Sequence, residues 1–157
     1  MHKFMKVLSL MALPLSAHAA DTVTLTVSGH LYKSTVCNVT AASDTIALGD
    51  ILSSRINGSE YQTPLGVTLT CSDRNGIQNV NVQVTGTGTT TNKLPVTGDA
   101  RGFYLALKRG SVAQNFGQNI RMDTDGPLDL SLTPERNTDA WADGDFSASV
   151  TIKVTVT

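Results

Sequence analysis

Apolar and polar residues alternate in several short runs along this chain. The longest closes the sequence: Phe146, Ala148, Val150, Ile152, Val154 and Val156 take every second position, with Ser, Lys and Thr between them. Period two over this length predicts a strand with one face on a core and one in water. Val23, Leu25 and Val27 alternate in the same way near the front, so residues 22–36 read as one long strand interrupted at Gly29. Further strands are expected where Leu65, Val67, Leu69 and Cys71 share a face, at Val80, Val82 and Val84, at Phe103, Leu105 and Leu107, and at Leu128, Leu130 and Leu132. Thr45 to Leu48 reads as a short strand, and Ile51 to Asn57 as a single helical turn or an irregular edge. Pro64 confines its strand to a start or an edge. Asn115 to Gly117, with Ile120 and Met122, suggests a further short pair of strands. Turns are expected at 74–76, 98–102, 108–110 and 125–127, and polar loops at 86–92 and 133–143. About seven to nine short strands, with a turn signal about every ten residues, predict one all-β domain, an antiparallel β-sandwich of immunoglobulin-like size.

The ends and the composition change that picture in two ways. Lys3 and Lys6 precede an apolar run from Val7 to Leu15, and Ala17-His18-Ala19 forms an A-x-A cleavage pattern. Residues 1–19 therefore read as a signal peptide, and the mature chain as exported. The run is too short for a membrane span. Charged residues make up 16% of the chain and the formal net charge is −1. With no basic run, nucleic acid is not an expected partner.

Candidate chemistry is sparse. Cys37 and Cys71 in an exported chain read as one disulfide, with a free pair or half of a metal site as the alternatives. The mature chain keeps one histidine, His30, so neither a zinc set nor a Ser/His/Asp triad is well supplied. Asp123, Asp125 and Asp129 have a cation-loop spacing that Gly126-Pro127 interrupts. Trp141 is either a cap on the core or a stacking platform for a glycan. No catalytic residue, metal or cofactor is expected, and the chain does not read as an enzyme.

Four stretches together resemble the pilin subunits of chaperone–usher fimbriae. They are Ala20 to Gly29, similar to the leading extension of minor and adaptor subunits of type 1-like pili; Cys37-Asn-Val39 with Ile46 to Gly49 and Leu69-Thr-Cys71; Gly102-Phe-Tyr-Leu-Ala-Leu107; and Gly144 followed by the closing strand. Val156 departs from the pattern, which carries an aromatic at the penultimate position.

The resemblance implies an incomplete immunoglobulin-like sandwich, the pilin fold, in which residues 31–157 form the pilin domain and residues 20–30 a donor-strand extension. In that reading Val23, Leu25, Val27 and Gly29 belong to the donor strand. Gly144, Phe146, Ala148, Val150, Ile152, Val154 and Val156 form the acceptor groove and the strand that meets the chaperone. A periplasmic pilus chaperone, an outer-membrane usher and neighbouring pilins are the implied partners, with any host glycan or receptor touched only indirectly. The implied role is a structural subunit of a surface fimbrium, exported through the periplasm. The alternative is a secreted single-domain adhesin or carbohydrate-binding β-sandwich, with loops 85–92 and 133–143 as its binding surface.

Overall fold

The computed structural model describes residues 23–157. The expected signal peptide and residues 20–22 lie outside the described residues. The chain divides into two units between Leu31 and Tyr32. In the first, residues 23–31 carry no strand, and Val23, Leu25, Val27 and Leu31 are exposed. Of the strand expected over 22–36, the described residues enter a ladder only at Val36, because an alternating run forms a ladder only where another strand receives its backbone groups.

In the second unit the described residues form thirteen strands. These are β1 (Val36–Ala41), β2 (Thr63–Pro64), β3 (Val67–Ser72), β4 (Val80–Gly86), β5 (Lys93–Pro95), β6 (Thr97–Gly98) and β7 (Phe103–Arg109). The rest are β8 (Val112–Ala113), β9 (Asn119–Arg121), β10 (Gly126–Pro127), β11 (Leu130–Arg136), β12 (Phe146–Ser147) and β13 (Val150–Val156). The helical turn expected within 51–57 is a 3-10 turn at Ser53–Arg55.

Every ladder is antiparallel. One sheet runs β2-β11-β7-β5, with β8 paired to β7. Two three-stranded ladders, β1-β3-β10 and β13-β4-β9, supply the opposing inner faces. The inward residues meet in one core, where Leu69, Val82, Val84, Leu94, Leu107 and Phe116 are almost fully buried. This is an antiparallel β-sandwich, as expected. The chain changes sheets between β2 and β3 at Gly66, whose φ of +63° suits glycine.

Five local readings differ from the structure, the first being the short pair of strands expected at 115–122: residues 115–118 turn, and only β9 forms there, paired with β4. Thr45 to Leu48 joins no ladder. Gly126-Pro127 is not a free turn; it pairs with Leu69 and Thr68. Polar residues 133–136 belong to β11, because β7 pairs with them and the segment 58–62 binds the outer face through Gln62 to Ser131 and Lys108 to the Gly58 carbonyl. Pro134 is tolerated there because β2 covers β11 only at Ser131 and Leu132, which leaves Pro134 on a free edge. The closing strand is broken at Ala148-Ser149: β12 pairs with β6, and β13 pairs with β4.

Candidate docking groove

The two three-stranded ladders each end in an open edge, β1 on one and β13 on the other. Cα atoms of β1 and β13 approach within 8 Å, yet the two strands share no ladder. Burial across the β4–β13 ladder exposes the defect. Val80, Val82 and Val84 on β4 are 2%, 0% and 1% exposed. Their direct partners Val156, Val154 and Ile152 are only half-buried, although they pack against the same core. The inner face of β13 thus lacks a cover that the inner face of β4 has.

Toward the start of β13 the gap opens into a cavity of about 780 Å³. One wall is the unladdered segment 44–51, with Ile46 and Leu48 turned half inward. The other wall is 141–150, and the floor is apolar, with Leu65, Leu94, Phe103, Leu105 and Leu132. Ile46 and Leu48 face this cavity rather than a sheet neighbour, which is why their alternation produced no strand.

Glycines let the second wall lie close to the segment before β7. A Cβ on Gly98 would meet the Asp145 carbonyl oxygen at 2.2 Å, and one on Gly144 would meet the Asp99 Cβ at 2.5 Å. Both have positive φ, +124° and +149°. The Asp145 carbonyl accepts from the amides of Asp99 and Ala100, and Arg101 bridges Ala142. Phe146 meets Phe103 edge-on at 5.0 Å between ring centroids. Trp141 is half-buried against the core over Gly102, with the Arg136 guanidinium 5.2 Å from its ring centroid. Its sequence reading as a core cap describes this position.

The seven residues expected along the acceptor strand occupy one stretch but not one element. Gly144 and Ala148 are exposed, Phe146 sits in β12, and Val150, Ile152, Val154 and Val156 line up on β13. Of the residues expected in the donor strand, Val23, Leu25 and Val27 are exposed, and a Cβ on Gly29 would touch nothing within 4 Å among the described residues. The wall 44–51 and the floor residues Leu65, Leu94 and Leu132 were not expected as part of the groove. The alternation of Ile46 and Leu48 was the sequence signal for the wall; Leu65 and Leu132 stood in alternating runs of their own, and Leu94 gave no signal.

The matching family model is described as "Fimbrial protein" and spans residues 23–157. The chain belongs to this family. It is a structural, non-enzymatic one. Among solved structures, the fimbrial subunit is similar to the P pilus rod subunit PapA, with a TM-score of 0.60 and 18% identity over 85% of this chain and 100% of that one. It is also similar to the P pilus adaptor subunit PapF, with a TM-score of 0.50 and 18% identity over 77% of this chain and 95% of that one. These likenesses concern the fold. Comparison with curated protein sequences returns no match.

The cysteines of the fimbrial subunit do form a disulfide, Cys37–Cys71, across directly paired positions of β1 and β3. It ties the open edge β1 to its ladder neighbour β3. Next to it, the Asp125 carboxylate accepts from the Cys71 amide at 2.7 Å and from Arg74 at 2.7 Å. That amide bond, and then Arg74, hold the Asp125 carboxyl below its ordinary value. Asp123 pairs instead with Arg121, and Asp129 lies beside Gly110. The three aspartates with cation-loop spacing therefore serve separate contacts, and among the described residues no group of three His, Cys, Asp or Glu side chains is placed to hold a metal.

Proposed function

We propose that this chain is a structural fimbrial subunit that polymerises by donor-strand exchange into a surface pilus used in cell adhesion. Its groove takes an extended strand from outside: first from a periplasmic chaperone, and then, at the outer-membrane usher, from the leading segment of a neighbouring pilin. Strand addition of this kind is a recognised mode of binding, with chaperone–pilin complementation a standing example. The leading segment 20–30 of this subunit serves a neighbour's groove in turn, with Val23, Leu25 and Val27 as anchors and Gly29 where the groove admits no side chain. The similarity of that segment to adaptor extensions supports a minor or adaptor position. A host glycan or receptor is then touched only through the assembled fibre.

One observation carries this reading. Val154 is half-buried while Val82, directly across the ladder, is completely buried. A strand laid between β13 and β1 would cover that face, satisfy both open edges and join the two three-stranded ladders. Three or four buried aliphatic anchors at about 1.5–3 kcal/mol each would contribute roughly 5–12 kcal/mol before ordering losses. That suits a long-lived joint.

The reading is tested by deleting residues 20–29. The truncated subunit is expected to bind its chaperone and accept a neighbour's strand, yet to be unable to extend into another groove. Normal polymer length from the truncated subunit alone would overturn it.

A further inference from the structure

The two ends of the groove differ in charge. At the wide end, Asp44, Asp50, Asp143 and Asp145 line the cavity against one cation, Arg101. All four aspartates are exposed, and none takes part in an ion pair among the described residues. At the far end, where Thr157 and Asn79 exchange backbone bonds, the acids are matched: Asp73 with Lys33, Asp125 with Arg74 and Asp123 with Arg121. The groove therefore has an unbalanced acidic mouth and a balanced tail.

Direction converts this asymmetry into selectivity. Every ladder in the subunit is antiparallel, and a strand entering antiparallel to β13 places its C-terminal end beside Val150, at the mouth. Resting on the strand-insertion reading above, we infer that the mouth selects an incoming strand that carries cationic side chains at its C-terminal end. The occupant is a neighbouring pilin's leading segment with that charge order. Residues 20–33 of this chain are an instance: Asp21 precedes the first anchor, and Lys33 follows the last. Lys33 pairs with Asp73 in its own subunit, but at 3.3 Å with 81% of the lysine side chain exposed the pair is held weakly, and the lysine can turn to a new carboxylate. Rim charges of this kind act mainly on encounter rate and partner choice, while the apolar anchors supply most of the affinity.

The probe is a labelled synthetic peptide of residues 20–33, titrated into the full chain and followed by fluorescence anisotropy. Its counterpart carries His30→Glu and Lys33→Glu. At about 20 mM salt the native peptide is expected to bind about tenfold more tightly, mostly through a faster on-rate, and at about 0.5 M salt the gap should close. A chain with Asp44→Asn, Asp50→Asn, Asp143→Asn and Asp145→Asn, all exposed positions, is expected to bind both peptides alike. Equal binding of the two peptides to the unaltered chain at low salt would overturn the charge inference and leave strand insertion standing. A gap that persists in the four-asparagine chain would also overturn it, since the discrimination would then lie elsewhere. No binding of either peptide would overturn strand insertion, and this inference with it.

Discussion

Val82 and Val154 form an internal control for the idea that the core of this subunit is incomplete. They are the same residue type, directly opposed on β4 and β13, and they touch the same core. Val82 is 0% exposed, so Val82→Ala removes two methyl groups from a fully packed site. It is expected to cost about 2–3 kcal/mol, the lost transfer energy plus the cavity left behind. Val154 is half-buried, so Val154→Ala is expected to cost about 1 kcal/mol in the lone chain. Filling the groove changes only the second number. With the 20–33 peptide bound, Val154 is covered and its truncation should approach about 2 kcal/mol, so the variant's affinity for the peptide falls about fivefold. Val82→Ala should leave that affinity within about twofold. Urea unfolding of both variants, with and without peptide, together with peptide titrations, measures all of these quantities. Equal costs for the two truncations in the lone chain, or an unchanged peptide affinity for Val154→Ala, would refute the incomplete-core argument.

Other positions make independent predictions. The Thr133 hydroxyl is fully buried and has no hydrogen-bond partner among the described residues, so Thr133→Val should raise stability by about 1 kcal/mol in denaturant unfolding; a loss would mean that the hydroxyl is satisfied. The Asp125 carboxyl titrates below its ordinary value in the folded chain. Its stabilising effect is therefore complete above the unfolded value of about 3.9 and is lost as pH falls through the lower folded value. Asp125→Asn should flatten the acid limb of a stability–pH curve in that window. Replacing Cys37 and Cys71 together by serine opens a loop with a sequence separation of 34 and should cost roughly 4 kcal/mol, read as a lower urea midpoint.

The parts of the fold that were legible in the sequence are those where local pattern and tertiary pairing agree. Val80, Val82 and Val84 alternate because one face of β4 is buried, and Phe103, Leu105 and Leu107 do so on β7 for the same reason. The apolar phase of β13 was equally plain, and so was the cysteine pair. What failed depended on which neighbour a segment meets. Residues 23–35 have the phase of a strand without a ladder. Ile46 and Leu48 have it because they face a cavity. Thr133 to Arg136 look like loop, yet become strand because β7 lies beside them and the segment 58–62 binds above. The break at Ala148-Ser149 was hidden because β12 and β13 keep one alternation while changing partners. For the groove, the β13 side was readable, whereas the opposite wall and the acidic mouth come from loops brought together only by folding.

The recess and the exposed leading run are different surfaces of one chain, the first within residues 32–157 and the second within 23–31. If the leading run fills a neighbour's recess, as proposed above, contacts between copies or relatives are head-to-tail rather than two-fold symmetric, and such contacts grow into open filaments with unlike tips. In such a filament one tip carries an empty recess and the other an unused leader. Growth can therefore be halted at either end by a different cap: a blunt subunit without a leader, or one whose recess is already filled.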